Sequence, residues 1–227
     1  MQPKPRLLIG LTILIVGGWL TYVALRDYRP WRASLTHAGP LHREYERYVS
    51  PDALVARLPP LHNLGGNGFR FAAMPYRGDR WYAFAAWQPE RASTAKGVII
   101  VIEQYQEKIT KVGPPIRFDI PIHEFRENMR KLEGITGWWR GEAIRCLHGT
   151  SVAFERVRQA RVTSGEGNAV CSDHFRSISA IAFELAKPTH NLPDPPSDGT
   201  WMPLHVVRRL DPNGRYPTPT GPAANDP

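Results

Sequence analysis

Cysteine is scarce in this sequence, since only Cys146 and Cys171 occur among 227 residues. Two cysteines exclude a small scaffold held by several disulfides and a zinc site built from four cysteine thiolates. The chain also lacks an internal repeat, which excludes solenoids and propellers. The fold must therefore depend on a hydrophobic core, for which the 42% of hydrophobic residues, including seven tryptophans, are sufficient.

Nucleotide-binding and zinc-protease signatures are incomplete. The stretch SGEGN (Ser164–Asn168) lacks the Lys-Ser/Thr pair of a P-loop and the third glycine of a dinucleotide-binding fingerprint. HEFRE (His123–Glu127) lacks the second histidine of a zinc-protease helix. We interpret SGEGN as a loop, with an anion-binding nest as the alternative, and HEFRE as the exposed face of an amphipathic helix.

Charged residues are missing from one long apolar segment near the amino terminus. Leu7–Leu25 contains nineteen residues without a charge, and a helix of that length spans roughly the hydrocarbon core of a bilayer. A cleaved signal peptide is the alternative, but the segment is long and no small-residue cleavage site follows it. We predict a short tail at 1–6 and a single-pass transmembrane helix, of the signal-anchor type, at 7–25.

The charges that flank this segment bear on its orientation. Lys4 and Arg6 precede it, whereas Arg26, Arg29 and Arg32 follow it. Counting positive charges alone favours a cytoplasmic domain, but a very short tail followed by a large domain is the usual layout of an anchor with its tail inside. We predict a protein of the bacterial inner membrane whose domain is extracytoplasmic, on the periplasmic side.

Composition divides the rest of the chain into four segments. Residues 26–40 are predicted to form a juxtamembrane linker, and 41–190 a single globular domain. Residues 191–210 are predicted to form a linker with room for one last strand. Residues 211–227, rich in proline and glycine, have the composition of a disordered tail.

The domain is predicted to belong to the α+β class, with a mainly antiparallel sheet of five or six strands covered by two helices. Phe69–Tyr76 and Trp81–Gln88 flank a short turn and predict a hairpin. Gly97–Tyr105 is rich in β-branched residues and predicts a buried strand. The alternating residues on either side of His148-Gly149 predict a second hairpin.

Two amphipathic helices complete the predicted fold. Apolar residues recur at helical spacing in IHEFRENMRKLE, which begins at Ile122 after a proline. A second apolar stripe predicts a helix from Asp173 to Ala186, with Ser172 as its N-cap.

The two cysteines leave several roles open. In an extracytoplasmic domain Cys146 and Cys171 would pair as a disulfide, and two packed thiols are the simpler alternative. Cys171 also precedes a predicted helix, whose dipole would favour a thiolate, so that a nucleophile with His174 or His148 as its base can be written. Together these two cysteines and two histidines would also make a tetrahedral zinc site, although their spacing matches no strong pattern.

Aromatic and basic residues supply the binding candidates. Arg156, Arg158 and Arg161 would form a basic patch, and Trp138 and Trp139 would suit a protein partner. The net charge of +8 favours anionic partners. An extracytoplasmic domain without an aromatic RNA-binding motif predicts no nucleic-acid partner.

No catalytic arrangement is strong enough to predict a reaction. We therefore expect a single-pass, membrane-anchored binding or assembly module of the cell envelope, in contact with the lipid bilayer and with a protein partner, and without a cofactor. The alternative is a membrane-anchored enzyme that uses Cys171 with a nearby histidine.

Overall fold

The computed structural model describes the chain from Arg32 to Pro203, with gaps. The chain divides into two units, Met1–Trp31 and Arg32–Pro227, and every described residue belongs to the second. The predicted transmembrane helix at 7–25 and the predicted tail at 211–227 lie outside the described residues. Among the described residues, no helix is long and apolar enough to cross a membrane. The residues described are 32–36, 50–76, 78–143, 146, 148–159, 161–187, 192 and 195–203.

One antiparallel sheet forms the body of the domain. Its strands are β1 Arg32–Thr36, β2 Asn67–Pro75, β3 Arg80–Trp87, β4 Thr94–Tyr105, β5 Lys108–Val112, β6 Ile116–Pro121, β7 Glu142–Ala143, β8 Thr150–Arg158 and β9 Arg161–Asn168. They lie in the order β5–β4–β3–β2–β8–β9–β1–β7, and β6 also pairs with β4. Every described pairing is antiparallel, which confirms the predicted α+β class with a mainly antiparallel sheet.

Helices cover the two faces of this sheet unequally. The long helices α2 (Ile122–Thr136) and α3 (Asp173–Ala186) contact each other and bury their apolar stripes in the larger core. A short helix, α1 (Pro51–Val55), packs on the other face in a smaller, alanine-rich cluster. A short 3-10 helix, Leu61–Leu64, precedes β2. Both faces of the central strands are therefore buried.

The segment at 195–203, here called the Trp201 strap, closes the larger core. Trp201 is fully buried, and its ring lies 5.0 Å from that of Phe71 and 5.6 Å from that of Tyr82. Its indole N–H donates to the carbonyl oxygen of Ser179 in α3 at 3.0 Å. The strap thus lies within the range predicted to be a linker with a last strand, and it contributes a large core side chain.

Several of the predicted elements are confirmed, and others are wrong. The described residues form nine strands in one sheet, and not the predicted five or six. The hairpin of β2 and β3 and the helices α2 and α3 form as predicted. The predicted hairpin around His148-Gly149 is wrong, because β8 pairs with β2 on one side and with β9 on the other, while β7 before it pairs with β1. The predicted SGEGN loop is also wrong, because Ser164–Asn168 forms the second half of β9. β1 lies within the stretch predicted to be a juxtamembrane linker.

Candidate functional site

The two cysteines lie at disulfide-bonding distance, as the pairing expected of an extracytoplasmic domain requires. Cys146 and Cys171 are bonded, and their Cα atoms are 6.0 Å apart. The bond closes a loop over a sequence separation of 25 residues and joins the chain before β8 to the chain before α3. In the chain-entropy account, a loop of this length contributes about 3 kcal/mol to stability.

The start of α3 is fixed directly after this cystine. Ser172, which follows Cys171, accepts a hydrogen bond on Oγ from the backbone N–H of Phe175 at 3.2 Å. Arg176 donates to the Asp173 carboxylate and to the carbonyl oxygen of Val170, each at 2.7 Å. The cystine, the N-cap and these contacts together define the first turn of the helix.

A cleft of about 560 Å³ lies where the end of α2 meets the start of α3. The cleft is open to solvent and has the shape of a surface groove, not of an enclosed cavity. One wall is formed by the last turn of α2 and the residues that come directly after it in the sequence. The other wall is formed by the start of α3. The side chains with aromatic or polar groups that line it are Trp138, Trp139, Arg140, Asp173, His174 and Ser177.

The two tryptophans of the cleft differ in environment. Trp138 is 92% exposed, whereas Trp139 is only 8% exposed. The ring of Trp139 stacks on that of His174 at 4.7 Å, with 12° between the planes, and meets the edge of Phe175 at 5.2 Å. Trp139 therefore holds the two walls together, and Trp138 is left facing solvent.

The lining of the cleft carries one basic and one acidic side chain, Arg140 and Asp173. Arg140 is exposed and forms no ion pair with any residue in the described part of the chain. Asp173 supplies the acidic group, but its charge is offset by Arg176. A guanidinium group carries five N–H donors, so Arg140 can donate several hydrogen bonds at this site.

The three arginines predicted to form a basic patch have different surroundings. Arg156 is buried and paired with Glu133 of α2, and Arg158 is paired with the same carboxylate at 2.9 Å. Arg161 is exposed and lies opposite Arg158 across the β8–β9 pair. Two of the three guanidinium groups therefore join the sheet to α2.

These ion pairs set the charge state of Glu133. Its burial would raise the pKa of the carboxyl, but the hydrogen bond and charge of Arg156, and then those of Arg158, outweigh burial and lower the pKa below its ordinary value of 4.5. Burial lowers the pKa of the Arg156 guanidinium, which Glu133 opposes. The lowered pKa keeps the Glu133 carboxyl ionised at neutral pH.

The proposed zinc ligands do not meet as four free donors. The sulfurs of Cys146 and Cys171 are bonded to each other, and the ring of His148 packs against Tyr76 at 4.6 Å. His174 lies instead in the cleft, stacked on Trp139. Within the described ranges, no group of three or more His, Cys, Asp or Glu side chains is placed to hold a metal ion.

The cystine also bears on the nucleophile hypothesis. A disulfide sulfur has no thiolate, so Cys171 becomes a nucleophile only after reduction. His174 is three residues from Cys171 but packs against the Trp139 ring. The structure thus brings together Trp138, Trp139 and His174 from the predicted candidates, and it places Arg140 and Ser177 beside them.

Comparison with known proteins gives no further assignment. The chain matches no protein-family model, no curated protein and no solved structure.

Proposed function

We propose that this protein is a single-pass, membrane-anchored binding module of the bacterial envelope, and that its ligand occupies the cleft between α2 and α3. The observation that carries the proposal is Trp138, a large aromatic side chain that is 92% exposed at this cleft. A tryptophan side chain exposes a large apolar area to water, and such exposed aromatic groups often mark binding surfaces.

The packing next to Trp138 favours a role for this residue in ligand binding. Its neighbour Trp139 is packed between His174 and Phe175, so the backbone that carries Trp138 is anchored to α3. A side chain held by a rigid backbone loses less entropy when a ligand binds. The arrangement suits an aromatic contact residue that is positioned before the ligand arrives.

The cystine supports an extracytoplasmic location. Disulfides persist in the periplasm and outside the cell, whereas the bacterial cytosol keeps most thiols reduced. The apolar segment at 7–25 supplies the proposed anchor in the lipid bilayer. The alternative, an enzyme that uses Cys171, would need this bond to be reduced, and no contact among the described residues favours it.

The proposal is tested by photo-crosslinking from the cleft in living cells. The full-length protein is made with p-benzoylphenylalanine in place of Trp138, and a matched control carries it in place of Glu124. Glu124 is exposed in the first turn of α2, about 18 Å along the helix from its last residue. We expect an adduct of defined mass from position 138 only. No adduct from position 138, or the same adducts from both positions, would contradict the proposal.

A further inference from the structure

We propose that the ligand of the cleft is an acidic saccharide, that is, a glycan segment whose sugars carry carboxylates. This inference rests on the proposed function, because it names the chemical class of the ligand at the same site. It follows from three features of the lining: one exposed aromatic face, one cation that has no ion-pair partner among the described residues, and several hydrogen-bonding groups.

The aromatic face is suited to a sugar ring. Sugars have an apolar face of C–H groups that packs on the negative face of an aromatic ring, and tryptophan offers the largest such face. Trp138 is the only exposed large hydrophobic side chain among the described residues that lines the cleft. A protein partner usually needs a larger apolar patch around its central aromatic residue, whereas an amphipathic sugar does not.

The cation is suited to a carboxylate. Arg140 lies two residues after Trp138, lines the same cleft and is exposed, with no acidic partner among the described residues. A guanidinium binds a carboxylate through two parallel N–H···O bonds, which fixes the orientation of the bound group. A carboxylate on the sugar stacked on Trp138, or on the next sugar, would complete this pair.

The opposite wall is suited to hydroxyl groups. Asp173 and Ser177 lie one turn apart on α3 and both line the cleft. The Ser177 hydroxyl donates to the Asp173 carbonyl oxygen at 2.8 Å, so its oxygen remains able to accept a hydrogen bond. The Asp173 carboxylate accepts hydrogen bonds from sugar hydroxyls, and its pairing with Arg176 reduces its repulsion of an anionic ligand.

The charge of the whole chain favours the same class of ligand. With 29 basic and 21 acidic residues, the formal net charge is +8. A net positive protein attracts a polyanion and raises its rate of encounter. Because this electrostatic attraction is not specific for one surface, the test must distinguish binding at the cleft from non-specific attraction to the charge of the protein.

The test measures binding of an oligogalacturonate to the full-length protein by titration calorimetry and tryptophan fluorescence. The protein is kept in a polyoxyethylene detergent, because the headgroup of a maltoside is itself a sugar. A maltooligosaccharide of the same length is the neutral comparison, and inorganic polyphosphate is the comparison for charge alone. We expect saturable binding of the oligogalacturonate and at least tenfold weaker binding of both comparisons.

Matched variants assign this binding to the cleft. We expect Trp138→Ala and Arg140→Gln each to weaken binding by about tenfold or more, since each removes a central contact. Arg117→Gln removes the same charge from an exposed position on β6 and should change affinity less than twofold. Equal effects of the two arginine variants, or tight binding of polyphosphate, would show general attraction and overturn the inference.

The outcomes separate this inference from the proposed function. A protein adduct from position 138, with no binding of the oligogalacturonate, would overturn the acidic saccharide and leave the binding module standing. Oligogalacturonate binding that survives Trp138→Ala would place the saccharide elsewhere and also overturn the inference. Failure of both the crosslinking and the titration would overturn both proposals.

Discussion

At the scale of single residues, Trp138 and Trp139 are adjacent in the chain but lie in opposite environments. Helix α2 ends at Thr136, and the chain then turns so that one indole faces solvent while the other enters the interface with α3. The first residue is proposed to contact ligand, and the second holds the cleft together. Substitution of each should therefore affect a different property.

Alanine substitution at these positions should separate stability from binding. We expect Trp139→Ala to lower the free energy of unfolding by about 3–5 kcal/mol, because it removes a buried ring and leaves a cavity. Trp138→Ala should change this free energy by about 0.5 kcal/mol or less, because its side chain is exposed. Urea unfolding followed by circular dichroism measures both values. A large loss of stability in Trp138→Ala would show that this residue has a structural role.

Glu133 makes one part of the stability depend on pH. Because its pKa is lowered in the folded state, the ionised carboxyl stabilises the fold above its ordinary value of 4.5, and this contribution is lost as the pH falls through the lowered pKa. Its side chain is 43% exposed, so water screens part of the attraction to Arg156 and Arg158.

Comparison with Glu133→Gln should reveal this dependence. We expect the wild-type protein to exceed the variant in free energy of unfolding by a constant amount between pH 6 and 7. The difference should shrink below pH 4.5, where protonation of Glu133 removes the same charge. Unfolding curves across this range measure it. A difference that stays constant down to the lowest pH at which the fold persists would contradict the assigned ion pairs.

At the scale of elements, β9 shows why part of the fold was mispredicted. Glycines in SGEGN predict a loop because glycine is the residue most often found in turns. In the structure Gly167 lies in β9, and a Cβ atom there would come within 2.3 Å of the Phe175 ring. This glycine allows α3 to approach the sheet closely, and such a requirement is visible only when both elements are in place.

Two glycine substitutions should have opposite effects on stability. Gly167→Ala should lower the free energy of unfolding by about 1–3 kcal/mol, because the new methyl group would meet the ring of Phe175, which is fully buried and packs against Trp139 and Phe154. Gly134→Ala should raise it by about 0.5–1 kcal/mol, because an exposed helical position has nothing within 4 Å of the new methyl group. Thermal unfolding measures both. Tolerance of Gly167→Ala would contradict the close packing of α3 on β9.

At the scale of the whole molecule, local patterns predicted the elements better than their long-range arrangement. The β2–β3 hairpin and the two long helices follow from alternation, helical spacing and the Ser172 cap. The pairing of β1 with β9 and the burial of Trp201 in a segment rich in proline depend on contacts between distant parts of the chain. The sequence contains no local signal for such contacts.

Only part of the candidate site could be predicted, because the site also depends on contacts between distant parts of the chain. Trp138, Trp139 and His174 were named as candidates from their residue types, but for separate roles. His174 is 36 residues after Trp138, and only the packing of α2 on α3 places both at one cleft. For the two cysteines a disulfide was one of several roles left open, and it depended on the expected oxidising compartment; the structure places the two residues at bonding distance.

The proposals share one requirement, which is that the domain lies outside the cytoplasm with its cystine intact. It is tested most directly by labelling Cys146 and Cys171 in intact cells with a maleimide that does not cross the inner membrane, before and after an impermeant reductant. We expect no labelling before reduction and labelling of both residues after it. Labelling without reductant, or labelling that appears only after the cells are lysed, would contradict the account.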